Sequence, residues 1–105
     1  MSRLTITDVR LFDGVRRLDR VDVHVAEDRV LDVTDPGVRP AEGEVVGGAG
    51  RTLLPGLVDC HVHLVPGSLR MTAAYGVTTV LDMFSRPDDL AGADAAREGD
   101  GAEGY

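Results

Sequence analysis

The stretch Leu53-Leu54-Pro55-Gly56-Leu57-Val58-Asp59-Cys60-His61-Val62-His63-Leu64 sets two imidazoles one residue apart at the end of an apolar, strand-like run. In an extended strand, side chains at i and i+2 share a face, so His61 and His63 project together while Cys60 and Val62 point the other way. Two neutral imidazoles at that spacing can close on one divalent cation, each nitrogen about 2.0–2.1 Å from it. The other donors must come from elsewhere. A bare His-x-His on a strand also fits solvated or structurally satisfied histidines, so the pair needs its context.

Downstream, Leu57 to Leu64 is nearly continuous in apolar residues apart from Asp59 and the histidines, as expected for a parallel strand covered on both faces. Ser68 is placed to cap a short helix through Leu69, Met71, Ala73 and Ala74, with Gly76 as its stop. Val77 to Met83 is the next strand. Strand, helix and strand in about 27 residues make a βαβ unit, whose crossover should be right-handed.

Upstream the pattern is that of short strands. Leu4 to Leu11 alternates, and Asp13-Gly14 marks a turn. Val21, Val23 and Val25 alternate with Asp22, His24 and Ala26, predicting a half-buried antiparallel strand with one polar face. On that face His24 reads as a surface histidine. Glu27-Asp28 supplies a hairpin turn to Val30-Leu31-Asp32-Val33. After a loop through Asp35-Pro36-Gly37 and Pro40, Glu44-Val45-Val46 and Thr52-Leu53-Leu54 read as two further short strands.

Pro55-Gly56-Leu57-Val58-Asp59-Cys60-His61-Val62-His63 resembles the first barrel strand of the metal-dependent amidohydrolase superfamily, whose signature is Pro-Gly-x-x-Asp-x-His-x-His. Tyr75-Gly76-Val77-Thr78-Thr79-Val80-Leu81-Asp82-Met83 looks like the second barrel strand of imidazolonepropionase-like and prolidase-like members. Thr5-Ile6-Thr7-Asp8-Val9-Arg10-Leu11-Phe12-Asp13-Gly14 is similar to the strand that opens their small β domain. The resemblance covers roughly the first 90 residues, in the family's order. Gly47 departs from it, standing where an aspartate is frequent.

The resemblance implies an α/β fold with a β-rich N-terminal part. Residues 1–54 would form half of a β-sandwich domain, and 55–90 the first βαβ unit of an incomplete TIM-like (β/α)8 barrel. It implies His61 and His63 as ligands of a divalent metal, zinc by preference, with one or two ions in the complete enzyme. Asp59 would steady a metal-bound imidazole or else hydrogen-bond nearby backbone. Asp82, near the end of the second strand, would support the site or remain a solvated carboxylate. The implied activity is hydrolysis by an activated water of carbon–nitrogen bonds other than peptide bonds in a small-molecule substrate.

A full barrel takes about 250 residues and places its active site at the C-terminal ends of several strands, so this chain supplies about two of the eight. The family's bridging carboxylated lysine or glutamate, two later histidines and a late aspartate have no matching position. All 11 basic residues are Arg, so a carboxylated lysine is excluded within this chain. The expectation is an N-terminal fragment with no catalytic residue of its own and no activity alone. The alternative is a non-catalytic interaction module that self-associates through exposed sheet edges.

A net charge of −7 with scattered arginines argues against nucleic acid as a partner. No stretch has the length of a membrane span, and the first residues lack a signal-peptide core, which predicts a cytoplasmic protein. Cys60, the single cysteine, excludes an internal disulfide and reads as a small buried hydrophobe under a covering helix. Residues 91–105 are small and acidic and predict a disordered tail. The change near Leu90 fits a lost reading frame, a decayed gene copy or a short natural product.

Overall fold

In the computed structural model, which describes residues 2–65, 68–86 and 88, the chain opens on a ten-residue strand, β1 (Arg3–Phe12). Asp13 turns it back. Its Oδ1 accepts the Val15 and Arg16 N–H groups at 2.9 and 2.7 Å, and Gly14 takes a φ of +99° that a glycine adopts freely. These bonds, the Arg16 N–H foremost, hold the Asp13 carboxyl at about 2.

β2 (Arg17–Ala26) then pairs antiparallel with β1, from Phe12 opposite Arg17 to Arg3 opposite Ala26. Glu27-Asp28 turns the chain into β3 (Arg29–Thr34), which pairs antiparallel with β2. The free edge of β1 is taken by two parallel strands in succession, β4 (Glu44–Gly47) and β5 (Thr52–Leu53). The result is one five-stranded sheet in the order β3-β2-β1-β4, with β5 also on β1, compatible with one layer of a sandwich. Val9, Leu11, Val21 and Val23 form its core, and Ile6, Leu18, Val25 and Leu53 pack against them.

Two bulges shape the β1–β2 ladder. Thr7 and Asp8 together oppose Asp22, and Asp19 and Arg20 together oppose Arg10. The extra residue in each bulge, Asp8 and Arg20, has left-handed φ values of 53° and 58°, and the two are joined by an ion pair of 2.7 Å. A bulge leaves one residue unpaired and bends its strand, so this pair ties the two bends together.

The polar face of β2 is not a solvent face. Val21 through His24 are all buried, and His24 is 3% exposed, which corrects its reading as a surface residue. Gly37 and Glu42, in the loop that follows β3, bond two polar side chains on this face of the sheet. Asp22 accepts the Asp8 N–H at 2.9 Å and the Gly37 N–H at 2.8 Å. The Thr5 hydroxyl bonds both the N–H and the C=O of Glu42. His24 Nε2 lies 3.3 Å from Thr34 Oγ1, while its Nδ1 has no hydrogen-bond partner among the described residues. The Gly37 N–H, ahead of the other donors, holds the Asp22 carboxyl below its ordinary range.

The chain divides into two compact units after Pro55. The second unit carries β6 (Leu57–Val62), a short helix α1 (Ser68–Ala74) and β7 (Val77–Asp82), with β6 and β7 in a parallel pair. Leu69, Met71, Ala73 and Ala74 favour helix, and Gly76 at φ +84° ends it. Ser68 is the first helical residue, and its hydroxyl bonds the N–H and C=O of Val65 rather than capping the helix as expected. β6 is not covered on both faces, since Leu57 and Val58 are 55% and 57% exposed and no described residue beyond Gly56 is buried. Its histidines and Asp59 leave too little apolar surface to recruit a second layer from one helix. The expected tail at 91–105 lies outside the described residues. Among the described residues, no helix is long and apolar enough to cross a membrane.

Candidate functional site

β6 is extended because a run of Leu57, Val58, Cys60 and Val62 favours a pleated strand, and β7 with Val77, Thr78, Thr79 and Val80 supplies its partner. His61 lies in β6 and His63 one residue past its end. The pleat brings their rings together, with centroids 5.3 Å apart and planes at 65°. Both side chains are exposed.

That separation can be tested against a shared cation. With a metal–nitrogen distance of about 2 Å, two imidazoles radiating from one tetrahedral ion place their centroids about 5 Å apart. The observed pair matches this spacing, and neutral imidazole nitrogens suit zinc and its neighbours. Two donors do not make a closed site. Among the described residues no group of three or more His, Cys, Asp or Glu is placed to hold an ion.

The two carboxylates near the pair have different surroundings. Asp59 Oδ1 accepts the His61 N–H at 3.1 Å, so Asp59 bonds the strand backbone. Asp82, at the end of β7, reaches across to the chain that leaves β6. Its Oδ1 accepts the Leu64 N–H at 3.2 Å and the Ser85 hydroxyl at 2.5 Å, and its Oδ2 accepts the Ser85 N–H at 2.9 Å. The Ser85 hydroxyl, then the Ser85 and Leu64 N–H groups and the positive potential of His63, hold the Asp82 carboxyl below its ordinary range. Asp82 is therefore half-buried and hydrogen-bonded at both carboxylate oxygens.

Ser85 is the residue that sequence reasoning missed. The one available signal is its spacing, because Ser, Thr, Asp and Asn three residues apart commonly bond each other's backbone where a strand ends. Cys60 is exposed, which corrects its reading as a buried hydrophobe, because no described element covers that face of β6. His63 also borders an open, apolar groove of about 350 Å³ between β6 and α1, with Val62, Met71 and Tyr75 among its walls.

A dihydroorotase from Syntrophotalea carbinolica is 32% identical over 93 residues, a match that takes in 77% of this chain and 21% of the dihydroorotase. An imidazolonepropionase from Ectopseudomonas mendocina is 39% identical over 66 residues, 55% of this chain and 15% of that protein. Among solved structures, a Xaa-Pro dipeptidase superposes with a TM-score of 0.73 at 20% identity, over 98% of this chain and 32% of that one. No protein-family model matches the sequence. These relatives are hydrolases, and the fold they share with this chain is a strand-rich α/β one. Within that class the chain belongs to the amidohydrolase superfamily. It spans about a fifth or less of the length of the curated relatives it matches, 21% and 15%.

Proposed function

We propose that this chain is the N-terminal part of a metal-dependent amidohydrolase that cleaves a carbon–nitrogen bond in a small molecule, and that alone it is inactive. The observation that carries the reading is the His61–His63 pair, two imidazoles 5.3 Å apart at the C-terminal end of a strand in a parallel pair. Functional groups of (β/α)8 enzymes gather at that end of the strands. His61 and His63 would hold the ion, zinc by donor chemistry, and Asp59 and Asp82 would fix the backbone that carries them. When bound, such an ion supplies Lewis acidity and an activated water. The remaining ligands and the general base would lie on later strands of one or two-metal enzymes of this kind. The bond cleaved can include a peptide link, since a fold neighbour is a Xaa-Pro dipeptidase. In keeping with a lone free thiol and an acidic surface, we place the protein in the cytoplasm, with no nucleic acid partner.

The test is zinc binding and hydrolysis by the 105-residue chain beside its His61→Ala/His63→Ala variant. Weak binding that disappears in the variant, without hydrolysis, is the expected outcome. Tight binding that survives the double substitution would sink the metal assignment.

Exposed apolar side chains favour a second reading, self-association. Leu57, Val58, Leu81 and Met83 lie open on and just beyond β6 and β7, and Val30 and Leu31 lie open on the edge strand β3. A discrete oligomer with a sharp thermal transition would support an assembly module. A partly unfolded monomer would remove it.

A further inference from the structure

We propose that Ser85, acting with Asp82, is a positioning residue that fixes the direction of His63, and through it the spacing of the imidazole pair. The inference rests on the metal-holding role proposed above for His61 and His63.

The β6–β7 ladder ends at Val62, whose C=O accepts the Met83 N–H at 3.0 Å. Leu64 lies two residues further on, past the end of the strand, where an N–H ordinarily turns to water. Here it has two acceptors on one short segment, Ser85 Oγ at 3.0 Å and Asp82 Oδ1 at 3.2 Å. His63 is thereby bracketed, with the peptide group before it held by Met83 and the N–H after it held by Ser85 and Asp82. A residue whose flanking peptides are both bonded has little freedom in φ and ψ, so its Cα–Cβ direction is set. At the other imidazole, Asp59 accepts the His61 N–H and so holds the peptide before it.

The hydroxyl suits the task because it does two things at once. It donates to Asp82 Oδ1 at 2.5 Å while accepting from Leu64, and the Ser85 N–H bonds the second carboxylate oxygen at 2.9 Å. A hydroxyl is both donor and acceptor, whereas an ionised carboxylate only accepts. Ser85 therefore anchors Asp82 in the rotamer that reaches Leu64. Alanine would leave Leu64 only its longer bond to Asp82 Oδ1, on a carboxylate held by the residue-85 N–H alone, and threonine would keep the arrangement.

The experiment uses NMR on the 105-residue chain and its Ser85→Ala, Ser85→Thr and Ser85→Ala/Asp82→Ala variants. Without metal, the readouts are Leu64 amide exchange and the through-space contact between the His61 and His63 rings. Ser85→Ala should exchange Leu64 about 10-fold faster and weaken the ring contact, and the double variant should lose both. Ser85→Thr should keep both. Unchanged exchange and ring contact in Ser85→Ala, or their loss in Ser85→Thr, overturns the proposal. Zinc titration of the same samples separates the two ideas, because supporting partners of metal ligands are worth about 10-fold in affinity. Weaker zinc binding in Ser85→Ala but not Ser85→Thr supports the positioning role. Equal binding by wild type and Ser85→Ala overturns it while leaving the metal reading intact. Rings that ignore zinc in the wild type overturn the metal reading, and with it the positioning role toward a metal.

Discussion

Val23 in the first unit is 1% exposed, whereas Val58 in the second is 57% exposed, although both are valines on strands. The same residue type thus does different work in the two units. In the first, apolar side chains from β1, β2 and β5 pack together, and the Gly37 and Glu42 N–H groups bond the buried Asp22 and Thr5 side chains. In the second, α1 has no buried residue, and the strand pair is held by backbone bonds together with the Asp82–Ser85–Leu64 contacts. The imidazole pair therefore stands on the unit with the less developed core. Hydrogen bonds, more than packing, set its geometry.

The contrast can be broken most directly at its two valines. Val23→Ala removes two methyl groups from a closed core and should destabilise the first unit by about 2–3 kcal/mol. Val58→Ala removes the same groups from an open strand and should change stability by no more than about 0.5 kcal/mol. Urea unfolding followed by amide signals from each unit would measure both. Equal losses would mean that the second unit packs against something that hides Val58.

A smaller effect is expected from the polar layer. Asp22→Asn removes the charge that accepts the Asp8 and Gly37 N–H groups and should cost about 1–3 kcal/mol. Because the Asp22 carboxyl is held below its ordinary value, its contribution is fully present above the unfolded pKa of about 3.9 and is lost as pH falls through the lower folded value. Thermal melts of the first unit at pH 2–6 should therefore fall steeply below pH 4, and less so in Asp22→Asn. Parallel curves would remove Asp22 as the source.

How the sequence announces these features explains which of them can be read from it. The strands of both units follow from alternating valines and from Gly and Asp turns, because local periodicity and turn chemistry act within a few residues. The His61–His63 pair is legible for the same reason, as a two-residue repeat on one strand. The burial of His24 is not, because its face of the sheet is tied to distant chain, with Asp22 and Thr5 bonded to Gly37 and Glu42 across 15 and 37 positions. Ser85 escapes for a related reason. Its partner Leu64 is 21 residues away, across α1 and β7, and only the parallel pairing brings them together.

The smallest expected effect sharpens the comparison at the bulges. Arg20→Gly loses an ion pair whose arginine is 73% exposed and screened by solvent, and relieves a left-handed conformation. The two changes oppose each other, so the unfolding midpoint should barely move. A larger loss by chemical denaturation would show that the Asp8–Arg20 link sets the bend of the sheet.

The two parallel strands on β1 carry a consequence for the order in which the molecule assembles. β1, β2 and β3 form a meander whose turns close over a few residues, but β4 and β5 reach β1 from about 40 positions away, and loop-closure entropy makes such distant pairings late. The meander can be complete while β4 is still unpaired. In pulse-labelled hydrogen exchange, amides of β2 should gain protection before those of β4 and β5. Since β5 is the last strand before Gly56, the histidine-bearing segment joins a first unit that finishes folding at the point of attachment.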